Sequence, residues 1–160
     1  MKKKLVLSLG SNLGNRYAYL QQAIVAINEA FDTVSLVAQF YETPPWGDTS
    51  QSRFINTAVL LETTLSPERC IALLQKIEIT LGRTKTRKWG PRSIDIDILF
   101  YENEILLHED LVIPHPHLQN RAFVLAPLSD LIPTYRHPLL EKTMTELLMG
   151  LNNDTLIFSP

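Results

Sequence analysis

The stretch Ile94-Asp95-Ile96-Asp97-Ile98-Leu99-Phe100 alternates isoleucine with aspartate. A period of two is that of a β-strand with one buried and one polar face. Upstream, the apolar run Leu5 to Leu9 ends in Gly10-Ser11-Asn12-Leu13-Gly14-Asn15, which predicts a strand, a tight glycine-rich turn and a helix start. Tyr17, Leu20, Ile24, Ile27 and Phe31 then recur at helical spacing. Val34, Leu36, Ala38 and Phe40 alternate with Thr33, Ser35, Val37 and Gln39 and predict a second strand. Residues 42–53 are a loop by composition. Phe54 to Thr63 is a third strand, with Ile55, Thr57, Val59 and Leu61 on one face. Ser66-Pro67-Glu68 opens a second helix as N-cap, first-position proline and first-turn acid, and Gly82 closes it. Its apolar stripe is Cys70, Leu73, Leu74, Ile77 and Leu81. Strand, helix, strand, strand, helix, strand is the ferredoxin-like βαββαβ order: an α+β fold with an antiparallel-dominated sheet and both helices on one face. Residues 101–160 extend it, with short helices expected near Asn120 to Leu128 and Thr143 to Leu148.

At 160 residues, 45% of them hydrophobic and 20% charged, the chain is expected to form a single domain, 1–160, and falls outside the disordered class. Fifteen cations against seventeen acids give a net charge of −2, which excludes a globally basic nucleic-acid binder. One cysteine, Cys70, excludes an internal disulfide framework and a multi-cysteine zinc site. No apolar run reaches the ~18 residues of a membrane helix, and the apolar part of the N-terminus is too short for a leader, so a cytoplasmic protein is expected.

Chemistry concentrates in two neighbouring segments. Residues two apart on a strand point the same way, so Asp95 and Asp97 share the face opposite the isoleucines. Two such carboxylates suit Mg²⁺, which prefers carboxylate, water and phosphate oxygens, although a solvated strand face has the same pattern. Just upstream, Arg83, Lys85, Arg87, Lys88 and Arg92 crowd a loop that also contains Trp89. Guanidinium groups grip phosphate oxygens, so cations beside paired acids fit a metal-bound polyphosphate. The Gly10–Asn15 turn lacks the lysine of a phosphate-binding P-loop and the third glycine of a dinucleotide loop; it reads mainly as a turn. Phe54 and Asn56 share a strand face and suit a flat heterocycle with hydrogen-bonding edges, or plain packing. Gln75 and Glu78 lie on one helix face, for which an exposed polar surface is the simpler reading. His115 and His117 sit between prolines, His108 and His137 have no evident partners, and Cys70 belongs to the core stripe.

The segment Trp89-Gly90-Pro91-Arg92-Ser93-Ile94-Asp95-Ile96-Asp97-Ile98-Leu99 resembles the signature of the 6-hydroxymethyl-7,8-dihydropterin pyrophosphokinase family of folate biosynthesis. Leu9 to Gly14, Phe40 to Pro45, Phe54-Ile55-Asn56, Pro114-His115 and Asn120 to Phe123 resemble family segments in the same order, from about residue 4 to about residue 130. The resemblance implies transfer of the β,γ-pyrophosphoryl group of ATP to the hydroxymethyl group of the pterin, with release of AMP. It implies two Mg²⁺ ions on Asp95 and Asp97. By similarity the pterin stacks between Phe54 and Phe123, Asn56 bonds its edge, and Thr43, Pro44, Pro45 and Trp46 line its loop. Ile71, Gln75, Glu78, Lys85, Arg92, Ile98, His115 and Arg121 match positions around ATP. Arg83 and Arg92 match arginines that assist transfer, and Trp89 seals the pocket against both substrates. The same resemblance implies a monomer that needs no obligatory protein partner, nucleic acid or membrane. Phe54 stands where some members have tyrosine, and Pro116 follows His115 where an aromatic can occur. The loops 42–53 and 83–92 are expected to close over the substrates, with loop motion or product release limiting turnover.

Two other classes share parts of this pattern. A metal-dependent nuclease or phosphohydrolase uses the same acid pair and predicts hydrolysis without pterin. An RNA-binding module on a ferredoxin-like sheet stacks bases on strand aromatics, but the first strand, Leu5 to Leu9, has none.

Overall fold

A strand apolar on both faces belongs in the middle of a sheet covered on both sides, and the first strand is of this kind. The computed structural model describes residues 1–43, 53–82 and 93–151. In it β1 (Lys3–Ser11) pairs antiparallel with β4 (Phe54–Thr63) on one side and β5 (Asp95–Tyr101) on the other. Two short strands, β2 (Leu36–Val37) and β3 (Tyr41–Thr43), both pair with β4. The sheet order β2-β4-β1-β5 is that of the ferredoxin-like fold, and β5 is an edge.

Both expected helices pack on one face. In α1 (Arg16–Ala30), Leu20, Ala23 and Ile27 are buried; in α2 (Pro67–Thr80), so are Cys70, Leu74 and Ile77. They meet Leu5, Leu7 and Leu9 of β1, Ile55, Val59 and Leu61 of β4, and Ile94, Ile96 and Ile98 in one core. Ser66 caps α2 by accepting the Arg69 N–H at 3.3 Å, and Gly82 takes φ +89° just past its end, as glycine at that position should. The residues after β5 cover the other face. A hairpin of β6 (Leu106–Leu107) and β7 (Val112–Ile113) leads to α3 (Ala122–Leu131) and α4 (Met144–Met149). There Val6, Ala58, Leu99 and Phe100 meet Val124, Leu125, Leu128 and Met144 in a second core.

Two local features depart from simple alternation. The β1–β5 register passes from Val6↔Phe100 to Leu7↔Ile98, so Leu99 is the extra residue of a β-bulge. The bulge reverses the phase of the strand: Phe100 enters the second core and Tyr101 the first. The expected strand from Val34 to Phe40 is not continuous. Val34 is 90% exposed, β2 covers only two residues, and the chain pairs again at Tyr41, so Glu42 and Thr43, expected in a loop, lie in a strand. One extra residue enters between the pairings Val37↔Val59 and Tyr41↔Asn56, so the chain bulges between β2 and β3, and there the Thr57 hydroxyl donates to the Ala38 and Gln39 carbonyls at 3.1 and 3.2 Å.

Candidate active site

The two carboxylates stand where alternation puts them. In the cross-strand register, Asp95 is opposite Gly10, which is opposite Asn56; Asp97 is opposite Ser8, which is opposite Ala58. Registered neighbours share a face. Asp95, Gly10 and Asn56 therefore form one row on the face away from α1 and α2, with Asp95 and Asn56 about 10 Å apart across two strand spacings. Gly10 makes that row possible. A Cβ there would fall 2.7 Å from Asn56 Oδ1 and 3.5 Å from Phe54 Cδ1, so only glycine lets the amide lie over the strand. Asn56 is buried, and its Nδ2 donates to Thr43 Oγ1 at 2.9 Å, which fixes the plane of the amide.

A cleft of about 370 Å³ wraps the outer edge of β5. On one side α2 supplies Ile71, Gln75 and Glu78; on the other come Glu109 to Val112, His115 and Pro116; Asp95, Ile96, Asp97 and Ile98 form the floor. Five positions expected around a nucleotide, Ile71, Gln75, Glu78, Ile98 and His115, thus line one cavity together with both acids. Glu78 corrects the simpler reading of its helix face. It is buried, and its Oε2 accepts the Ile96 N–H at 2.8 Å. An edge strand turns alternate N–H groups away from its partner, and this carboxylate satisfies one of them.

His115 accepts the His117 N–H on Nδ1 at 3.2 Å. Its neutral ring therefore carries the proton on Nε2, a donor. Burial, then the neighbouring Arg121 and His117, push this imidazole down to about 4 against the pull of Asp95. Arg121 feels both carboxylates: burial lowers its pKa, and Asp97 and Asp95 act to hold its charge. Its guanidinium carbon lies 5.8 Å from the centre of the Phe123 ring. Phe123 stands in the first turn of α3, on the sheet face that carries Asn56 and the acids.

Pro44, Pro45, Trp46, Arg83, Lys85, Trp89 and Arg92, with the expected closing loops, lie outside the described residues. Among the described residues no three histidine, cysteine, aspartate or glutamate side chains gather as a metal cluster. Two carboxylates alone fit Mg²⁺ better than a metal that demands a full protein cage, because Mg²⁺ keeps its other positions for water and phosphate. Sequence reasoning missed Glu109, Asp110 and Leu111, in the turn between two strands of two residues each, and Val112 at the start of the second, a hairpin too short for a periodic signal. It also left His137 without partners, whereas His137 is buried and its Nδ1 accepts the Leu139 and Leu140 N–H groups at 3.1 and 3.2 Å.

The profile of the family described as 7,8-dihydro-6-hydroxymethylpterin-pyrophosphokinase (HPPK) matches residues 6–133. The 2-amino-4-hydroxy-6-hydroxymethyldihydropteridine pyrophosphokinase of Bacillus subtilis is 44% identical over 126 residues, 78% of this chain and 75% of that one. The protein of the same name from Aquifex aeolicus is 38% identical over 140 residues, 88% of this chain and 87% of its own. Among solved structures, wild-type Plasmodium falciparum HPPK-DHPS with pteroate superposes with a TM-score of 0.74 at 17% identity, over 93% of this chain and 42% of that one. That likeness speaks for the fold.

Proposed function

Because the chain belongs to the 7,8-dihydro-6-hydroxymethylpterin-pyrophosphokinase family, we propose that it transfers the β,γ-pyrophosphoryl group of ATP to 6-hydroxymethyl-7,8-dihydropterin. The products are the pterin diphosphate and AMP. One observation carries the placement of this reaction: Asp95 and Asp97 sit on the edge strand where the nucleotide-sized cleft meets the Asn56–Gly10 row. The acids thus stand between a site for ATP and a site for a flat heterocycle.

The hydroxymethyl oxygen attacks the β-phosphorus while its proton passes to a neighbouring carboxylate, the bond from the β-phosphorus to the α,β-bridging oxygen breaks, and AMP leaves with that oxygen. Such a transfer needs alignment and charge neutralisation more than covalent help. Asp95 and Asp97 hold the metal, in our reading two Mg²⁺ ions. Bound there, Mg²⁺ would supply charge neutralisation for the phosphates and favour loss of the hydroxyl proton. Arg121, facing both carboxylates, adds a fixed positive charge beside the phosphates. His115 offers Nε2–H to the nucleotide, and Ile71, Gln75, Glu78 and Ile98 form its pocket. Asn56, oriented by Thr43, reads the pterin edge, and Phe54 and Phe123 stack on its faces. Pro44, Pro45 and Trp46 complete the pterin loop; Arg83, Lys85, Trp89 and Arg92 complete the phosphate side. The whole chain, 1–160, is one pyrophosphokinase domain in this reading, a cytoplasmic monomer with no obligatory protein partner. No helix among the described residues is long and apolar enough to cross a membrane.

The test is ³¹P NMR of the protein with ATP, Mg²⁺ and the pterin, beside Asp97→Asn and a control without pterin. Wild type should give AMP and pterin diphosphate only when pterin is present. Asp97→Asn should slow the reaction on the order of a thousandfold, the loss of several kcal/mol of charge stabilisation. ADP as the product, or hydrolysis without pterin, would replace the reading with a simple kinase or a phosphohydrolase.

A further inference from the structure

Gly10 and Ser11, expected in the glycine-rich turn, belong to β1, and the turn itself is residues 12–15, between β1 and α1. Gly14, at φ +67°, turns the chain into α1, and Asn15 caps that helix by accepting the Ala18 N–H at 3.1 Å. The first helical residue is then Arg16. A cation here faces the positive end of the helix dipole, and the first turn of α1 has no acid to offset it. A locally disfavoured charge is compensated elsewhere, and the structure shows where.

Arg16 Nη1 donates to the Arg53 carbonyl at 2.7 Å and to Glu42 Oε1 at 3.3 Å. The ion pair is partly shielded, with the two side chains 25% and 29% exposed. Glu42 precedes Thr43 and Arg53 precedes Phe54, and Thr43↔Phe54 is the last rung of the β3–β4 ladder. One guanidinium therefore ties the Glu42 side chain to the Arg53 backbone, each one residue away from a member of that rung. The rung needs holding, because β3 has only three residues and runs along the sheet past the end of β2. Thr43 orients the Asn56 amide, and Phe54 lies beside it.

We propose that Arg16 is a positioning residue for the pterin: by joining Glu42 to the Arg53 carbonyl it sets the Thr43–Phe54 rung, and through it the Asn56 amide and the Phe54 ring. The inference rests on the pterin reading of this site. Arg16 does not line the nucleotide cleft. Its loss lets the rung fray, so the pterin must order its own pocket on binding, and affinity falls. The nucleotide cleft lies along the far edge of the sheet, at β5, and keeps its shape.

The experiment compares wild type, Arg16→Met and Glu42→Gln in steady-state kinetics and in calorimetric titration with 6-hydroxymethyl-7,8-dihydropterin in the presence of a non-hydrolysable ATP analogue and Mg²⁺. Arg16→Met should weaken pterin binding and raise its KM about tenfold, the scale of a lost charge-assisted bond, while kcat and the KM for ATP stay within about twofold. Glu42→Gln keeps an acceptor oxygen and should raise the pterin KM alone, by less; it carries the test if Arg16→Met does not fold. Unchanged pterin binding in the variants overturns the proposal. So does a joint loss for both substrates that follows a fall in Tm, because that is what a merely structural residue would give. Wild type that binds the ATP analogue but no pterin overturns the functional reading itself, and the proposal with it.

Discussion

The imidazole of His115 is held in one protonation state by its geometry. Protonating Nδ1 would break its bond with the His117 N–H and place a second cation beside Arg121. The folded-state pKa of about 4 lies below the ordinary 6.5, so the unfolded chain binds more protons between those values. The stabilisation is complete above pH 6.5 and is lost as pH falls towards 4. An NMR titration should therefore place the His115 midpoint near 4, and His115→Gln should flatten the decline of stability in that window. A midpoint near 6.5 would show that neither burial nor the bond from the His117 N–H holds Nδ1 unprotonated. At this scale the acids were legible, because alternation alone sets the direction of Asp95 and Asp97. Glu78 was not. Its reason for being buried is the N–H of Ile96, on an edge strand of another element, and helical spacing cannot show which strand ends up beside it. His137 was hidden for a different reason: its partners, the N–H groups of Leu139 and Leu140, are backbone atoms of a local turn.

Among the elements, β5 does most to place the site, and its bulge divides the work. Up to Ile98 the strand presents isoleucines to α2 and carboxylates to the cleft; beyond Leu99 it packs Phe100 under α3 and α4. Tyr101 then returns to the first core and donates its hydroxyl to the Leu65 carbonyl at 2.7 Å. Deleting Leu99 removes the bulge but keeps Phe100 opposite Val6, with Phe100 and Tyr101 on their present faces. The deletion should therefore still unfold in one cooperative thermal transition. Leu99→Ala keeps the bulge, leaves a cavity, and should fold with a loss of about 2–5 kcal/mol. Loss of the cooperative transition in the deletion alone would show that the bulge itself, and not the side chain it carries, is what the fold needs. Alternation was readable as far as Ile98, but two adjacent apolar residues, Leu99 and Phe100, fit either phase; the register with β1 decides. The strand expected over 34–40 failed for a related reason. Its pattern was intact, but one extra residue enters between Val37↔Val59 and Tyr41↔Asn56, a shift that only the register with β4 can show.

At the scale of the whole molecule, the sheet is a middle layer, and closing its second face falls to the C-terminal third. The matched family region ends at residue 133, yet the core does not. Met144 is fully buried against the second core, and Leu147, Leu148 and Leu151 pack around it. Tyr135 and His137 meet the Phe100 ring edge-on at 4.8 and 5.6 Å. A six-residue helix such as α4 cannot persist by itself; it is fixed by a capping box between Thr143 and Glu146 and by what it buries. Composition and short periodic runs gave no sign of which face these residues would cover, because that depends on a sheet already formed. The packing argues that α4 unfolds with the rest of the molecule, as the single-domain proposal requires. Met144→Ala should cost about 2–5 kcal/mol in urea unfolding. In native-state hydrogen exchange, the slowest amides of α2 and the buried turn of α4 should open with the same free energy and lose the same amount on that substitution. If α4 instead exchanges at a far lower free energy and Met144→Ala leaves α2 unchanged, the C-terminal layer is an independent attachment, and the site's support ends with α3.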